Sequence, residues 1–197
     1  MKPEVATWTR PFLHELLDEI PKNVDSLLDV GCGRRIVGAI TRIYRTPKRL
    51  VGVDVFQDYI DFCKQYSIYD ELFCLDLRKT PLPFQNSEFA VATCIETIEH
   101  LPKKHGEKLL DELHRISDIV IVSTPSSFFR QPTYLVKHNK FQAHVSSWSV
   151  EDFRKRGYSV KGVGNLAVNK LVFPTQKLTG RFPRLHQFLL AKLTHDE

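Results

Sequence analysis

The chain has 197 residues, 42% of them hydrophobic and 26% charged, with a net charge of +5. That length supports one sizeable α/β core and is too short for two, and the composition is that of a packed domain rather than a disordered chain. No apolar run approaches the roughly 18 residues of a membrane span, and the amino terminus has no signal-peptide core, so a cytoplasmic protein without a transmembrane segment is expected.

Residues 11–20 place Phe12, Leu13, Leu16, Leu17 and Ile20 at helical spacing, and Pro21 with Asn23 ends the run. Trp8, just ahead, reads as packing or as part of a lid. Leu27, Leu28 and Val30 around Asp29 form a short buried strand, closed by Gly31-Cys32-Gly33. Two closely spaced glycines let a backbone turn sharply where a Cβ would meet a ligand, and Asp29 sits where a ligand ammonium could be neutralised. Ile36, Val37, Ile40 and Ile43 stripe a second helix that Thr46-Pro47 ends. Leu50-Val51-Gly52-Val53 is the next strand. Asp54 closes it 21 positions after Gly33, near the roughly 20-residue offset at which nucleotide folds set an acid against ribose hydroxyls. A dinucleotide fingerprint needs G-x-G-x-x-G; Ile36 stands at the third glycine, which argues against a pyrophosphate ligand such as NAD.

Residues 27–33 resemble the first motif of class I S-adenosylmethionine-dependent methyltransferases of the type 11-like group, and residues 51–55 resemble the second. The family commonly has a further glycine two places after Gly33, where this chain carries Arg35. The resemblance implies S-adenosylmethionine as cofactor, a ligand with an ammonium, a sulfonium and a ribose but no phosphate. It implies cofactor contacts from Asp29, Gly31, Cys32, Gly33, Asp54, Val55, Asp76, Leu77, Ile95 and Glu96. It also implies a Rossmann-like, doubly wound α/β fold, a seven-stranded and mostly parallel sheet with an antiparallel last strand.

Residues 57–66 read as a third helix with Tyr59, Ile60, Phe62 and Cys63 inward, and residues 71–77 as a strand ending in Asp76-Leu77. In the family, residues matching these two lie against adenine, the acid taking the exocyclic amine; alone, Asp76 reads as a turn cap. Residues 81–89 resemble the family's P-F-x-x-x-x-F/Y-D entry to the fourth strand, with Ala90 in place of the acid. Residues 89–95 form that strand, and Glu96, Glu99 and His100 follow at its carboxyl end, where open α/β sheets bind ligands. Glu99 reads equally as a solvated residue opening a helix. Leu109, Leu110, Leu113 and Ile116 mark a helix over 107–116, and 118–123 a fifth buried strand. This alternation implies parallel strands with right-handed crossovers.

Residues 124–147 lose the period and hold several aromatics, which marks a substrate-side insert within a single methyltransferase domain spanning 1–197. Ser149 with Asp152 makes an acidic variant of the capping box. Residues 157–160 resemble the sixth strand, and 168–173 read as a strand or a second insert. Residues 186–193 are the seventh strand by resemblance, although their period alone also allows a short helix.

Methyl transfer from a sulfonium is an in-line displacement that needs a base only if the nucleophile must lose a proton. His100 and His144 are the catalytic candidates, each also readable as structural. No metal site is expected: Cys32, Cys63, Cys74 and Cys94 have no CxxC spacing and read as buried free thiols. Basic clusters at 42–49, 154–161 and 177–184 read as a solvated face, or as a surface for an anionic partner. Cys94-Ile95-Glu96-Thr97 stands where amino-directed nucleic-acid methyltransferases have Asn/Asp-Pro-Pro-Tyr/Phe, and there is no Pro-Cys nucleophile. An enzyme methylating an oxygen of a small molecule, lipid or glycan is therefore favoured. An RNA methyltransferase using the basic clusters, or a non-catalytic S-adenosylmethionine-binding module, are the alternatives; nothing in the sequence bears on oligomeric state.

Overall fold

A computed structural model of the chain describes residues 12–128, 130–131, 137–166, 183 and 186–195. Trp8, residues 168–173 and, apart from Pro183, the basic cluster at 177–184 lie outside them. The helices are α1 (Leu13–Glu19), α2 (Ile36–Tyr44), α3 (Gln57–Lys64), α4 (Lys103–Ile116) and α5 (Val150–Arg154). The strands are β1 (Ser26–Val30), β2 (Arg49–Asp54), β3 (Glu71–Cys74), β4 (Phe89–Ile95), β5 (Ser117–Pro125), β6 (Ser159–Leu166) and β7 (His186–Thr194).

All seven strands join one sheet in the order β3-β2-β1-β4-β5-β7-β6. The first five are parallel, and β7 runs antiparallel between β5 and β6. This is the expected fold, with β7 in the antiparallel form. Strands covered on both faces need apolar residues at successive positions, which explains the runs in β2 and β5 and, around the buried Asp29, in β1. Leu28, Val30, Val51, Val53, Val120 and Val122 pack on one face with Leu109, Leu110, Leu113 and Ile116 of α4. Leu27, Leu50, Val91 and Ile121 pack on the other with Phe12, Leu16, Val37 and Ile60. Burying each such side chain contributes roughly 1.5–3 kcal/mol. The chain order reverses between β1 and β4, so their carboxyl ends flank the crevice that open α/β sheets use for ligands.

Several boundaries shift for physical reasons. The buried face of α2 is Val37, Gly38 and Thr41, while Ile43, expected on the apolar stripe, is 67% exposed. The helix is turned because Tyr69 packs on Gly38, where an added Cβ would lie 2.3 Å from the ring. β3 stops at Cys74, short of Asp76, whose carboxylate caps the next turn by accepting the Arg78 amide at 3.0 Å. β6 starts at Ser159 and runs on to Leu166. The Ser149–Asp152 capping box forms, with Asp152 N donating to Ser149 Oγ at 3.2 Å and Ser149 N to Asp152 Oδ2 at 2.7 Å. Cys32, Cys63 and Cys94 are buried free thiols, but Cys74, on edge strand β3, is exposed.

Candidate functional site

The site begins where β1 ends. The amides of Gly31 and Cys32 both donate to the Val53 carbonyl, at 2.7 and 2.9 Å, folding the loop against the end of β2. Gly31 has φ +74°, and a Cβ there would lie 2.2 Å from Thr97 Oγ1, so only glycine fits between the turns after β1 and β4. Gly33 has φ +51°, and its missing Cβ faces open space, the nearest atom being the Gly31 carbonyl at 3.9 Å. Arg35, which replaces the family's further glycine, has φ +66°. The chain therefore keeps the left-handed turn that glycine would make, at a cost of roughly 1–2 kcal/mol. The Arg35 guanidinium stacks 3.4 Å from the Tyr66 ring centroid and 4.8 Å from that of Phe62, which offsets part of that strain.

Asp54 closes the cradle. Its Oδ2 accepts the Gly33 amide and its Oδ1 the Phe56 amide, both at 2.9 Å, and the residue is 8% exposed. Burial raises its pKa above the ordinary value, and backbone bonds from Phe56, Gly33 and Val55 oppose that shift. A carboxylate oxygen accepts more than one hydrogen bond, so Asp54 retains capacity for a ribose diol. Val55 follows it, half-buried.

Asp29 lies deeper. It is 1% exposed, with Tyr69 Oη donating to Oδ2 at 2.7 Å and Thr93 Oγ1 to Oδ1 at 3.1 Å. Tyr69 is thereby held over Gly38 and Gly52, and burial followed by the Asp29 charge raises its phenol pKa well above the usual value. The expected ammonium partner is thus also the internal anchor of the loop, a role that sequence spacing did not signal. Cys32 is buried and its thiol pushed upward, first by its hydrogen bond with Cys63 and then by burial.

Asp76 and Leu77 follow β3. The Asp76 carboxylate is bound by Arg78, at 2.8 Å from Nε and 2.6 Å from Nη2, which holds its pKa below the usual range. Leu77 is 4% exposed. At the end of β4, Ile95 is buried, and Glu96 takes φ +53° with Oε1 accepting Ser123 Oγ at 2.8 Å.

The turn after β4 (Ile98–His100) supplies two more groups, and the irregular segment supplies a third. Glu99 is buried, not solvated, at 2% exposure. The backbone explains why: the Glu99 carbonyl accepts the amides of Val145 and Ser146 at 2.9 and 3.1 Å, laying residues 143–146 over the turn. His144 Nε2 then sits 3.9 Å from Glu99 Oε1, and the rings of His100 and His144 meet edge-on with centroids 4.9 Å apart. His100 Nδ1 is 3.1 Å from the Ala143 carbonyl. One donor atom each from Glu99, His100 and His144 lies within 4.8 Å of the other two, an arrangement able to hold a metal ion. The sequence placed Glu99 and His100 together at a strand end, but nothing local announced that His144 would complete the group.

Sheet order, the paired-glycine loop and the acid ending β2 together define a Rossmann-like nucleoside-binding domain. A family model described as a methyltransferase domain matches residues 27–118. The uncharacterized protein MJ0638 of Methanocaldococcus jannaschii is 24% identical over 151 residues, 74% of this chain. The chain spans 60% of the length of that relative. A chain of the complex between the Haloferax volcanii Trm112 methyltransferase activator and a methyltransferase superposes with TM-score 0.67 at 17% identity, covering 96% of this chain and 92% of that one. Magnesium protoporphyrin IX methyltransferase from Synechocystis, with S-adenosylhomocysteine bound, superposes with TM-score 0.59 at 15% identity, covering 93% and 80%. At these identities the structural likeness is one of fold. Among the described residues no helix is long and apolar enough to cross a membrane.

Proposed function

We propose that this chain, acting as a single domain, transfers the methyl group of S-adenosylmethionine to an oxygen of a small-molecule, lipid or glycan acceptor. The observation that carries the reading is the Asp54 carboxylate gripping the Gly33 amide beside an open Gly33 face. Asp54 takes the ribose hydroxyls, and the 31–33 backbone approaches the methionine portion closely over its glycines. The Asp29 charge beneath the loop favours the ammonium. Val55, Leu77, Ile95 and Cys32 shape the cofactor's surroundings, Asp76 takes the adenine amine, and Glu96 borders the crevice. His100 and His144 face the acceptor side, with residues 143–146 laid against the turn that carries His100. The reaction breaks the sulfonium–methyl bond as the oxygen–methyl bond forms, so rate comes chiefly from alignment of the two.

The arginines of the first basic cluster support this acceptor class over RNA, because they are spent inside the fold. Arg42 binds the Ile68 and Pro47 carbonyls and Asp70; Arg45 binds the carbonyls of Ile20 and Leu17; Arg49 pairs with Glu71 and Glu88. In the second cluster Arg156 pairs with Asp111, and Lys161 with Glu19.

Calorimetric titration with S-adenosylmethionine, S-adenosylhomocysteine and NAD tests the cofactor. Binding of the first two and not the third is expected; no binding of either overturns the reading. An acceptor screen follows with small molecules, glycans and RNA, run with and without an activator subunit because one structural relative is held in complex with one.

A further inference from the structure

We propose that Glu99, His100 and His144 bind a divalent first-row metal ion that holds and polarises the acceptor hydroxyl. The role toward the hydroxyl rests on the methyl-transfer reading above; the metal site rests on geometry alone.

Three observations carry it. The first is spacing: the three donor atoms lie within 4.8 Å of one another. Donors bound at about 2.0–2.2 Å to one ion are at most about 4.4 Å apart, so side-chain movements of a few tenths of an ångström would close the set. Glu99 and the His144 side chain are 2% and 3% exposed, so the donors are preorganised rather than free in solvent.

The second is the separation of Glu99 from His144. Glu99 Oε1 and His144 Nε2 stand 3.9 Å apart, a spacing at which one ion can contact both. The main-chain bonds from Val145 and Ser146 to the Glu99 carbonyl hold the His144 segment against the turn that carries Glu99.

The third is ring orientation. The Ala143 carbonyl can only accept, so His100 Nδ1 carries the hydrogen and Nε2 presents its lone pair. Gln131 Nε2 lies 2.8 Å from His144 Nε2, and an arriving metal displaces this amide. Two neutral imidazoles and one carboxylate form the donor set of open catalytic metal sites, leaving further positions for water or substrate.

In the reaction, the acceptor oxygen binds at an open position and its hydroxyl pKa falls. The proton leaves to water, an oxygen lone pair forms the bond to the methyl carbon, and the carbon–sulfur bond breaks to give the neutral thioether. The products are the methyl ether, S-adenosylhomocysteine and one proton. His100 and His144 then serve as ligands rather than as the general base.

The test uses the full chain, stripped with a chelator and titrated with Mn²⁺ and with Zn²⁺ by calorimetry, with the free Mn²⁺ signal followed by electron paramagnetic resonance. One equivalent of at least one ion is expected to bind, and Glu99→Gln and His144→Asn are each expected to weaken it by roughly tenfold or more. His100→Gln, at a half-buried ring, is a third variant should either buried substitution unfold the chain. S-adenosylhomocysteine binding is measured on the same samples. Binding of neither ion, or wild-type affinity in folded variants, overturns the metal site. S-adenosylhomocysteine binding without metal leaves the methyltransferase reading standing alone, and metal binding without S-adenosylhomocysteine does the reverse.

Discussion

The carboxylate of Asp54 holds the amide of Gly33 at 2.9 Å, tying the end of β2 to the loop after β1 across 21 residues of chain. It also holds the Phe56 amide, so one side chain shapes both walls of the cradle proposed for the nucleoside. Asp54→Ala removes the acceptor from both, at roughly 1–3 kcal/mol for each amide left unpaired. S-adenosylhomocysteine affinity should fall by roughly tenfold to a hundredfold, read by calorimetry, with Asp54→Asn intermediate because one acceptor oxygen remains. Equal affinity in all three proteins would remove Asp54 from the site.

Gly31 and Gly33 both have positive φ but differ in what a side chain would meet. Gly31→Ala drives a Cβ into Thr97, adding overpacking to backbone strain, and should destabilise the fold by roughly 2–4 kcal/mol. Gly33→Ala carries only the backbone cost, yet fills the open face proposed for the cofactor. Thermal melts and calorimetry together should show a large loss of stability for the first and a large loss of S-adenosylhomocysteine affinity for the second.

Tyr69→Phe deletes the hydroxyl that donates to Asp29 while keeping the ring against Gly38 and Gly52. Chemical denaturation should register a loss of about 1–3 kcal/mol, that of a buried hydrogen bond to a charged group. A smaller change would show that Thr93 and the remaining surroundings satisfy Asp29 without it.

His114 gives the pH dependence. Burial, then the nearby His195, pulls its imidazole down to about 4, and its Nε2 lies 2.6 Å from Tyr158 Oη. In the unfolded chain it titrates near the usual value of about 6.5, so as pH falls the unfolded state takes up the proton first. The resulting stability is full above that value and is lost as pH falls toward 4. The melting temperature should therefore drop more between pH 7 and pH 4.5 in the wild type than in His114→Gln, which keeps a partner for Tyr158 and does not titrate. Parallel drops would assign the acid sensitivity elsewhere.

Elements stabilised by residues close in sequence were legible beforehand. The stripe Leu109, Leu110, Leu113 and Ile116 foretold α4, Phe89 to Ile95 foretold β4 at both ends, and Ser149 with Asp152 foretold its cap. What was not legible depended on a distant partner. Ile43 looked like core until Tyr69 turned α2, and Glu99, readable equally as a site residue or as a solvated one, is buried where residues 143–146 cross its turn. The arginines at 42, 45 and 49 looked like a basic surface because their acceptors are backbone carbonyls and acids contributed by other elements.

By itself the sequence determined the alternation of strand and helix, the glycine turn after β1 and the acid after β2, since periodicity and backbone freedom are local properties written residue by residue. Only the tertiary structure decided that Arg35 keeps a glycine's backbone, that Asp29 anchors Tyr69, and that Glu99, His100 and His144 converge. Those relations arise from sheet order and from a segment crossing back over the turn after β4. Contacts between residues 40 or more positions apart leave no periodic trace in a single chain.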